Sequence, residues 1–179
     1  MKFKPLFFAF IFLSMCASAD AQRRDYMTGA EQEIVRNNQD IDSRISVLTK
    51  MIDRRFAALG IDTGGDKPSK LASKISGDDW GEEPKGTRLE LFTDIKSLLE
   101  KTIDDIDNLA ARMPEKTQEQ RKGENIFDKA VRSLAKSAGR WLPHLKKEFG
   151  AATDAKTHGA TSSSIEFCEQ IIEASTRLK

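Results

Sequence analysis

A chain of 179 residues with 39% hydrophobic, 32% charged and 7% aromatic residues is one domain in length, and that balance favours amphipathic helices over a sandwich or barrel. Its formal net charge of +1 carries no basic excess, which removes the composition-level case for nucleic acid or anionic lipid as a partner.

The N-terminus differs in kind from the rest. Lys2 and Lys4 flank the start of an apolar stretch from Pro5 to Met15, interrupted only by Ser14, and Ala17-Ser18-Ala19-Asp20-Ala21 follows with small residues. This pattern predicts a cleavable signal peptide over residues 1–21 and a single helical-bundle domain over 22–179. The apolar run is about ten residues where a spanning helix takes about twenty, so no stable membrane insertion is expected after cleavage. Ala17-x-Ala19 would start the mature chain at Asp20 and Ala19-x-Ala21 at Gln22; the second is preferred. Leu13-Ser14-Met15-Cys16 keeps open a lipid anchor through Cys16, against which the bulk of Met15 counts. The expected location is extracytoplasmic, either periplasmic or secreted.

Cleavage would remove Lys2, Lys4 and Asp20 from 29 basic and 28 acidic side chains, leaving 27 of each. It would also leave Cys168 as the sole cysteine, so stability must come from packing rather than from an intrachain disulfide.

Thr28-Gly29-Ala30-Glu31 has the spacing of a capping box and opens the first predicted helix. Ile34, Ile41, Ile45, Leu48, Ile52, Phe56 and Leu59 then recur at helical spacing, with Asn38 and Arg55 occupying seam positions, up to a left-handed C-terminal cap at Gly60. That element would be about 45 Å long. From Gly60 to Gly86 the chain holds six glycines with Pro68 and Pro84, which excludes a continuous helix; a short turn over Leu71–Ile75 is compatible with it.

A second box, Thr87-Arg88-Leu89-Glu90, opens the next helix, whose apolar face runs from Leu91 through Ile95, Leu98, Ile103 and Ile106 to Met113 before Pro114 ends it. A third, Thr117-Gln118-Glu119-Gln120, precedes a long helix with Phe127, Val131, Leu134, Ala138 and Trp141 on one face, kinked near Leu142 by Pro143 and stopping at Gly150. Ala151 to Ser162 reads as a small polar linker, and Ser163-Ser164-Ile165-Glu166 as the start of a fourth helix carrying Ile165, Cys168 and Ile172. The expectation is all-α: an antiparallel four-helix bundle with a long Gly-rich loop between helices 1 and 2 and a kinked third helix.

Asp25-Tyr26-Met27-Thr28 into Glu31, Gln39-Asp40-Ile41-Asp42-Ser43-Arg44-Ile45, Arg54-Arg55-Phe56 and Arg140-Trp141-Leu142-Pro143 together resemble a group of uncharacterised secreted bacterial helical proteins with no assigned activity. The resemblance covers most of the mature chain and implies a bacterial, extracytoplasmic helical protein. It supplies no site residues.

Chemistry-bearing groups are sparse. His144 follows Pro143 at the expected kink and His158 falls in the expected linker; neither sits in Glu-x-x-His, and no His-Glu-x-x-His exists for zinc. Cys-x-x-Cys-His for haem attachment is absent, which leaves only a non-covalent haem on His144 and a methionine as an alternative. Cys168, in register with Ile165 and Ile172, reads as a small buried hydrophobe rather than a reactive thiol.

Asp78, Asp79, Glu82 and Glu83 lack the ligand alternation of a calcium loop, and Asp104, Asp105 and Asp107 read as a solvated helix face. Ser162 to Ser164 lack a nucleophile elbow, and Gly64-Gly65 lacks a phosphate-binding pattern.

No catalytic, cofactor-binding or metal-ligating residue is therefore assigned, no cofactor is expected, and the chain is not expected to be an enzyme. The expected role is a structural or interaction module with an unknown protein partner and an open oligomeric state. The alternative is a small-ligand or cofactor carrier with a pocket in the bundle core, motivated by Asn38 and Arg55 on the seam. Trp80, set among acidic residues, is expected to fold back onto the bundle as an anchor, with partner recognition as the other use of such a residue.

Overall fold

The computed structural model describes residues 24–65, 80–112 and 126–178. The signal segment with Cys16, the turn over Leu71–Ile75, the box at Thr117, Met113, Pro114, and the acidic pair Asp78 and Asp79 lie outside the described residues. The fold is all-α. Five helices occupy the described residues: α1 (Gly29–Asn37), α2 (Ile41–Ala58), α3 (Arg88–Arg112), α4 (Ile126–Ala151) and α5 (Ala155–Thr176).

Two of the expected boxes are formed. The Thr28 backbone N donates to Glu31 Oε2 at 2.9 Å and the Glu31 backbone N donates to Thr28 Oγ1 at 3.2 Å, closing the start of α1. At α3 the Thr87 backbone N donates to Glu90 Oε2 at 2.6 Å and the Glu90 backbone N returns to Thr87 Oγ1 at 3.3 Å. The end of α2 is a Schellman motif: Gly60 takes φ 77°, the Ile61 N–H reaches the Phe56 carbonyl at 2.8 Å, and the Gly60 N–H reaches that of Ala57 at 2.9 Å.

Two boundaries differ from the sequence expectation. The single helix expected from Thr28 to Gly60 is broken over residues 38–40. Asn38 turns its side-chain amide onto the Ile34 carbonyl at 2.8 Å, and Arg44 Nε donates to the Asn38 carbonyl at 3.0 Å. Those bonds satisfy carbonyls that a continuing helix would use, so the chain stops and restarts with Asp40 as the N-cap of α2. Asn38 is thus the C-cap of α1.

The second correction concerns the expected linker over Ala151–Ser162 and the expected fourth cap at Ser163. The helix begins at Ala155, capped by Asp154, whose carboxylate accepts from the Thr157 backbone N at 2.8 Å. Its first turns bury small side chains: Thr157, Ala160, Thr161 and Ser164 face inward. Thr161 Oγ1 and Ser164 Oγ each donate to the carbonyl four residues back, which satisfies both hydroxyls without a partner on another helix.

Helix α5 packs along α4 and α3, while α2 packs on α3 and α4. Between them lie Ile45, Leu48, Met51, Ile52 and Phe56 of α2, Phe92, Ile95, Leu98 and Leu99 of α3, Leu134, Trp141 and Leu145 of α4, and Cys168 of α5, each at most 1% exposed. Pro143 lies inside α4, on its exposed side. Trp80, expected to fold back, is 5% exposed within this core, and the Arg54 guanidinium sits over its ring at 5.5 Å from the centroid. Among the described residues no helix is long and apolar enough to cross a membrane.

Candidate functional site

Among the described residues five ionic side chains are buried: Glu31, Asp53, Arg54, Arg55 and Asp94. Charges are costly to bury, by several kcal/mol per ion, unless each finds partners. They fall into two clusters, and the partners of each decide what it can do chemically.

The first cluster centres on Glu31, a residue fixed at the start of α1 by the capping box. Its Oε1 accepts from Arg54 Nη1 at 2.7 Å and from Arg55 Nη1 at 2.5 Å, while Oε2 accepts from Arg55 Nη2 at 2.6 Å and from the Thr28 backbone N. The four acceptor sites of a carboxylate are thereby filled. The two guanidinia extend the cluster into the chain: Arg54 donates to the Glu82 carbonyl at 2.5 Å and Arg55 to the Tyr26 carbonyl at 2.6 Å.

Asp94, one helical step from Leu91 and Leu98 on α3, adds a second carboxylate. It accepts from both Arg24 terminal nitrogens at 3.1 and 2.9 Å and lies 3.8 Å from Arg55 Nε, a buried nitrogen with no hydrogen-bond partner of its own. Arg24 also donates to the Lys85 carbonyl at 2.8 Å. Burial pushes the Asp94 carboxyl up to about 6 although Arg24 and Arg55 pull the other way. Burial likewise lowers Arg54 and raises Tyr26.

The second cluster ties the end of α2 to α4. Asp53 Oδ1 accepts from Trp141 Nε1 and from Thr63 Oγ1, both at 2.7 Å, and Oδ2 accepts from Arg140 Nη2 at 3.3 Å. Arg140 also donates to the Thr63 carbonyl at 3.2 Å. Gly65 passes so close that an added Cβ would overlap the Asp53 carboxylate. Glycine is the residue that permits this approach.

Groups singled out in the sequence stay apart. His144 is half-buried on α4 with its ring 6.5 Å from that of Phe56, and His158 is exposed, on α5 rather than in a linker, with its ring centroid 3.8 Å from that of Phe149 and the two planes tilted by 40°. Cys168 is buried, and desolvation pushes its thiol up to about 12. Glu82 and Glu83 are exposed, with Glu82 paired to Lys85 at 2.5 Å. Among the described residues no three His, Cys, Asp or Glu side chains are grouped to hold a metal ion.

Concavities also lie between the helices. A groove of about 600 Å³ runs between α3 and α5 over Leu89, Thr93, Gly159 and Ser163, with Arg24 and Asp94 in its wall. A hollow of about 550 Å³ lies where the start of α2 meets α3 and α4, lined by Ile41, Arg44, Asp105, Leu109, Ile126 and Phe127. A cavity of about 230 Å³ opens on the other side of Phe127 between α3, α4 and α5. Among the described residues Ile126 is a large apolar side chain that stays exposed, at 61%.

Sequence reasoning flagged Arg55 but missed Glu31 and Asp94 as its buried company, and missed Asp53 as the centre of the second cluster. A signal existed for Asp94, a lone acid on the Leu91–Leu98 stripe; the Glu31 role was masked by its capping spacing, which accounts for that residue without a distant partner. Comparison with family models, with curated proteins and with solved structures finds no match for this chain in any of the three.

Proposed function

We propose that the chain is an exported bacterial helical protein that acts as a structural or interaction module, binding rather than catalysing. The observation that carries this reading is the engagement of each buried carboxylate, Glu31, Asp53 and Asp94, by cationic or N–H donors of the same chain. A general base must hold a free lone pair toward a substrate, whereas the acceptor sites of Glu31 are filled and those of Asp53 and Asp94 are drawn on by Trp141, Thr63, Arg140 and Arg24. The architecture proposed is an antiparallel bundle of α2 to α5, with α1 folded beside α2, a glycine-rich connection over residues 60–86 and a bend at Pro143. The packing of α5 on α3 and α4, and of α2 on both, supports it.

The contact face proposed for a protein partner is the end around Ile126, Leu109 and Ile41, where an apolar rim borders an open hollow. Export rests on the N-terminal pattern, and the resemblance to secreted bacterial helical proteins agrees with it. The test is native mass and sedimentation of the mature chain purified from its own host, beside Ile126→Asp. The module reading expects an assembly larger than the monomer that Ile126→Asp dissolves; a monomer in both forms, with no bound mass, contradicts it.

A second reading is a small-ligand carrier, favoured by the cavity between α3, α4 and α5. In the same host-purified sample it expects a small molecule bound to the monomer.

A further inference from the structure

Exposed charge is sorted by helix. On α3, from Thr93 to Ala111, the exposed ionic residues are Glu100, Asp104 and Asp107, all acidic. On α4 the exposed ionic residues are Lys129, Arg132, Lys136, Lys146 and Lys147, all basic. Lys129 pairs with Asp42 and Lys146 with Glu169, whereas Arg132, Lys136, Lys147 and the α3 acids have no hydrogen-bond or ion-pair partner among the described residues. The negative field around α3 reaches Tyr26, whose hydroxyl is pushed up by burial first and then by Asp25, Asp105, Glu100 and Asp104.

Helical spacing makes each set one stripe. Glu100, Asp104 and Asp107 stand at i, i+4 and i+7, and Arg132, Lys136 and Lys147 at i, i+4 and i+15, opposite the buried rows of their helices. Charges four residues apart lie about 6 Å apart along either axis, so the two stripes share a repeat with opposite sign. Helices α2 and α5 each pack on both α3 and α4, while α3 and α4 have little contact with each other. The outer faces of α3 and α4 therefore point to opposite sides of the molecule.

We propose that the partner is a second copy of this chain, the acidic face of α3 on one copy docking on the basic face of α4 on the next. The proposal rests on the module reading and names its partner. Charge complementarity supports it: each stripe meets its opposite on a neighbouring copy and, with a formal net charge of +1, whole copies barely repel. Ile126 borders the α4 face and adds an exposed apolar edge to it. Because the two faces differ and lie on opposite sides, the contact is head-to-tail, and each docked copy leaves a face free for the next. Exposed ion pairs are individually weak and screened by salt, so several must form together and the assembly is salt-sensitive.

Sedimentation velocity of the purified mature chain, at up to about 1 mM protein, compares about 0.02 M with about 0.5 M salt. Two variants neutralise one face each, Glu100→Gln with Asp104→Asn and Arg132→Gln with Lys136→Gln, and circular dichroism checks that both are folded. The mature chain is expected to assemble at low salt and to sediment as a monomer at high salt. Each variant alone should associate at least about ten-fold more weakly. Their equimolar mixture should recover a one-to-one dimer and nothing larger, because one intact face of each kind remains to pair. Assembly that salt and both variants leave unchanged overturns the faces assigned here, and weakened variants whose mixture recovers no dimer overturn the head-to-tail arrangement. A mature chain that stays monomeric overturns the partner: if the host-purified sample still holds another protein that Ile126→Asp releases, the module reading stands, and if it holds none, both fall. A monomer that instead sediments with anionic-lipid vesicles, an association lost on neutralising Arg132 and Lys136, likewise overturns the chain as its own partner.

Discussion

Glu31 and Arg55 face each other across 24 residues of chain as a bidentate pair, with Arg55 Nη1 and Nη2 at 2.5 and 2.6 Å from the two carboxylate oxygens and both side chains at most 1% exposed. Such a pair gains little net stability over an apolar equivalent, because desolvation offsets most of the attraction. Its effect is on position. Apolar contacts tolerate sliding, whereas two parallel N–H···O bonds fix α1 against α2 in one register. Glu31→Gln keeps the volume and removes the charge, leaving Arg54 buried without its carboxylate partner and Arg55 with Asp94 alone, 3.8 Å from its Nε. The expected loss is about 3–5 kcal/mol by urea denaturation.

Asp94 makes the stability of the protein depend on pH in an unusual direction. Its folded carboxyl titrates at about 6 against an ordinary 3.8, so the folded state holds that proton more tightly than the unfolded chain does. The penalty is fully present above about 6 and is relieved as pH falls from about 6 toward 4. Acidification from pH 7 to 5 should therefore add stability through this group, at most about 1.4 kcal/mol per pH unit. In Asp94→Asn that gain is absent. The difference between wild-type and variant denaturation curves at pH 7, 6 and 5 isolates it from the other carboxylates.

Trp80 is buried beneath Arg54, so Trp80→Ala should cost about 3–5 kcal/mol. Acrylamide should quench neither tryptophan freely in the native protein. Trp141→Phe is not a silent background for that measurement, because it removes a 2.7 Å donor from the buried Asp53 carboxylate and should itself cost about 1–3 kcal/mol. Trp80→Phe, compared with wild type, resolves the two signals without opening that cluster.

Cys168 has no exposed surface, and its thiol is pushed up to about 12. At neutral pH a thiolate-selective reagent should leave it unmodified in the folded protein and modify it fully in denaturant. Native-state labelling should proceed no faster than opening of α5.

What was legible in the sequence follows a physical divide. Elements that write a large apolar stripe were readable: Ile45, Leu48, Ile52 and Phe56 on α2, and Leu91, Ile95, Leu98 and Leu99 on α3, all lie in the core. Local hydrogen-bond codes were readable too, as at Thr28, Thr87 and Gly60. The start of α5 was not, because Thr157, Ala160, Thr161 and Ser164 bury a face of small polar residues whose composition matches a linker. Nor was the break at Asn38, a polar residue on the seam between Ile34 and Ile41 whose side-chain amide bonds the Ile34 carbonyl. The ionic cluster could not be paired from sequence, since Glu31, Arg55 and Asp94 meet only after α1, α2 and α3 are placed.

The central claim is that the buried ions bind the chain to itself, and the coupling between Glu31 and Arg55 tests it most directly. A double-mutant cycle of Glu31→Ala, Arg55→Ala and the double variant, read by equilibrium denaturation, should give a coupling energy of about 2 kcal/mol or more, with the double variant more stable than the sum of single losses requires. Additive losses, with no coupling beyond about 0.5 kcal/mol, would contradict it.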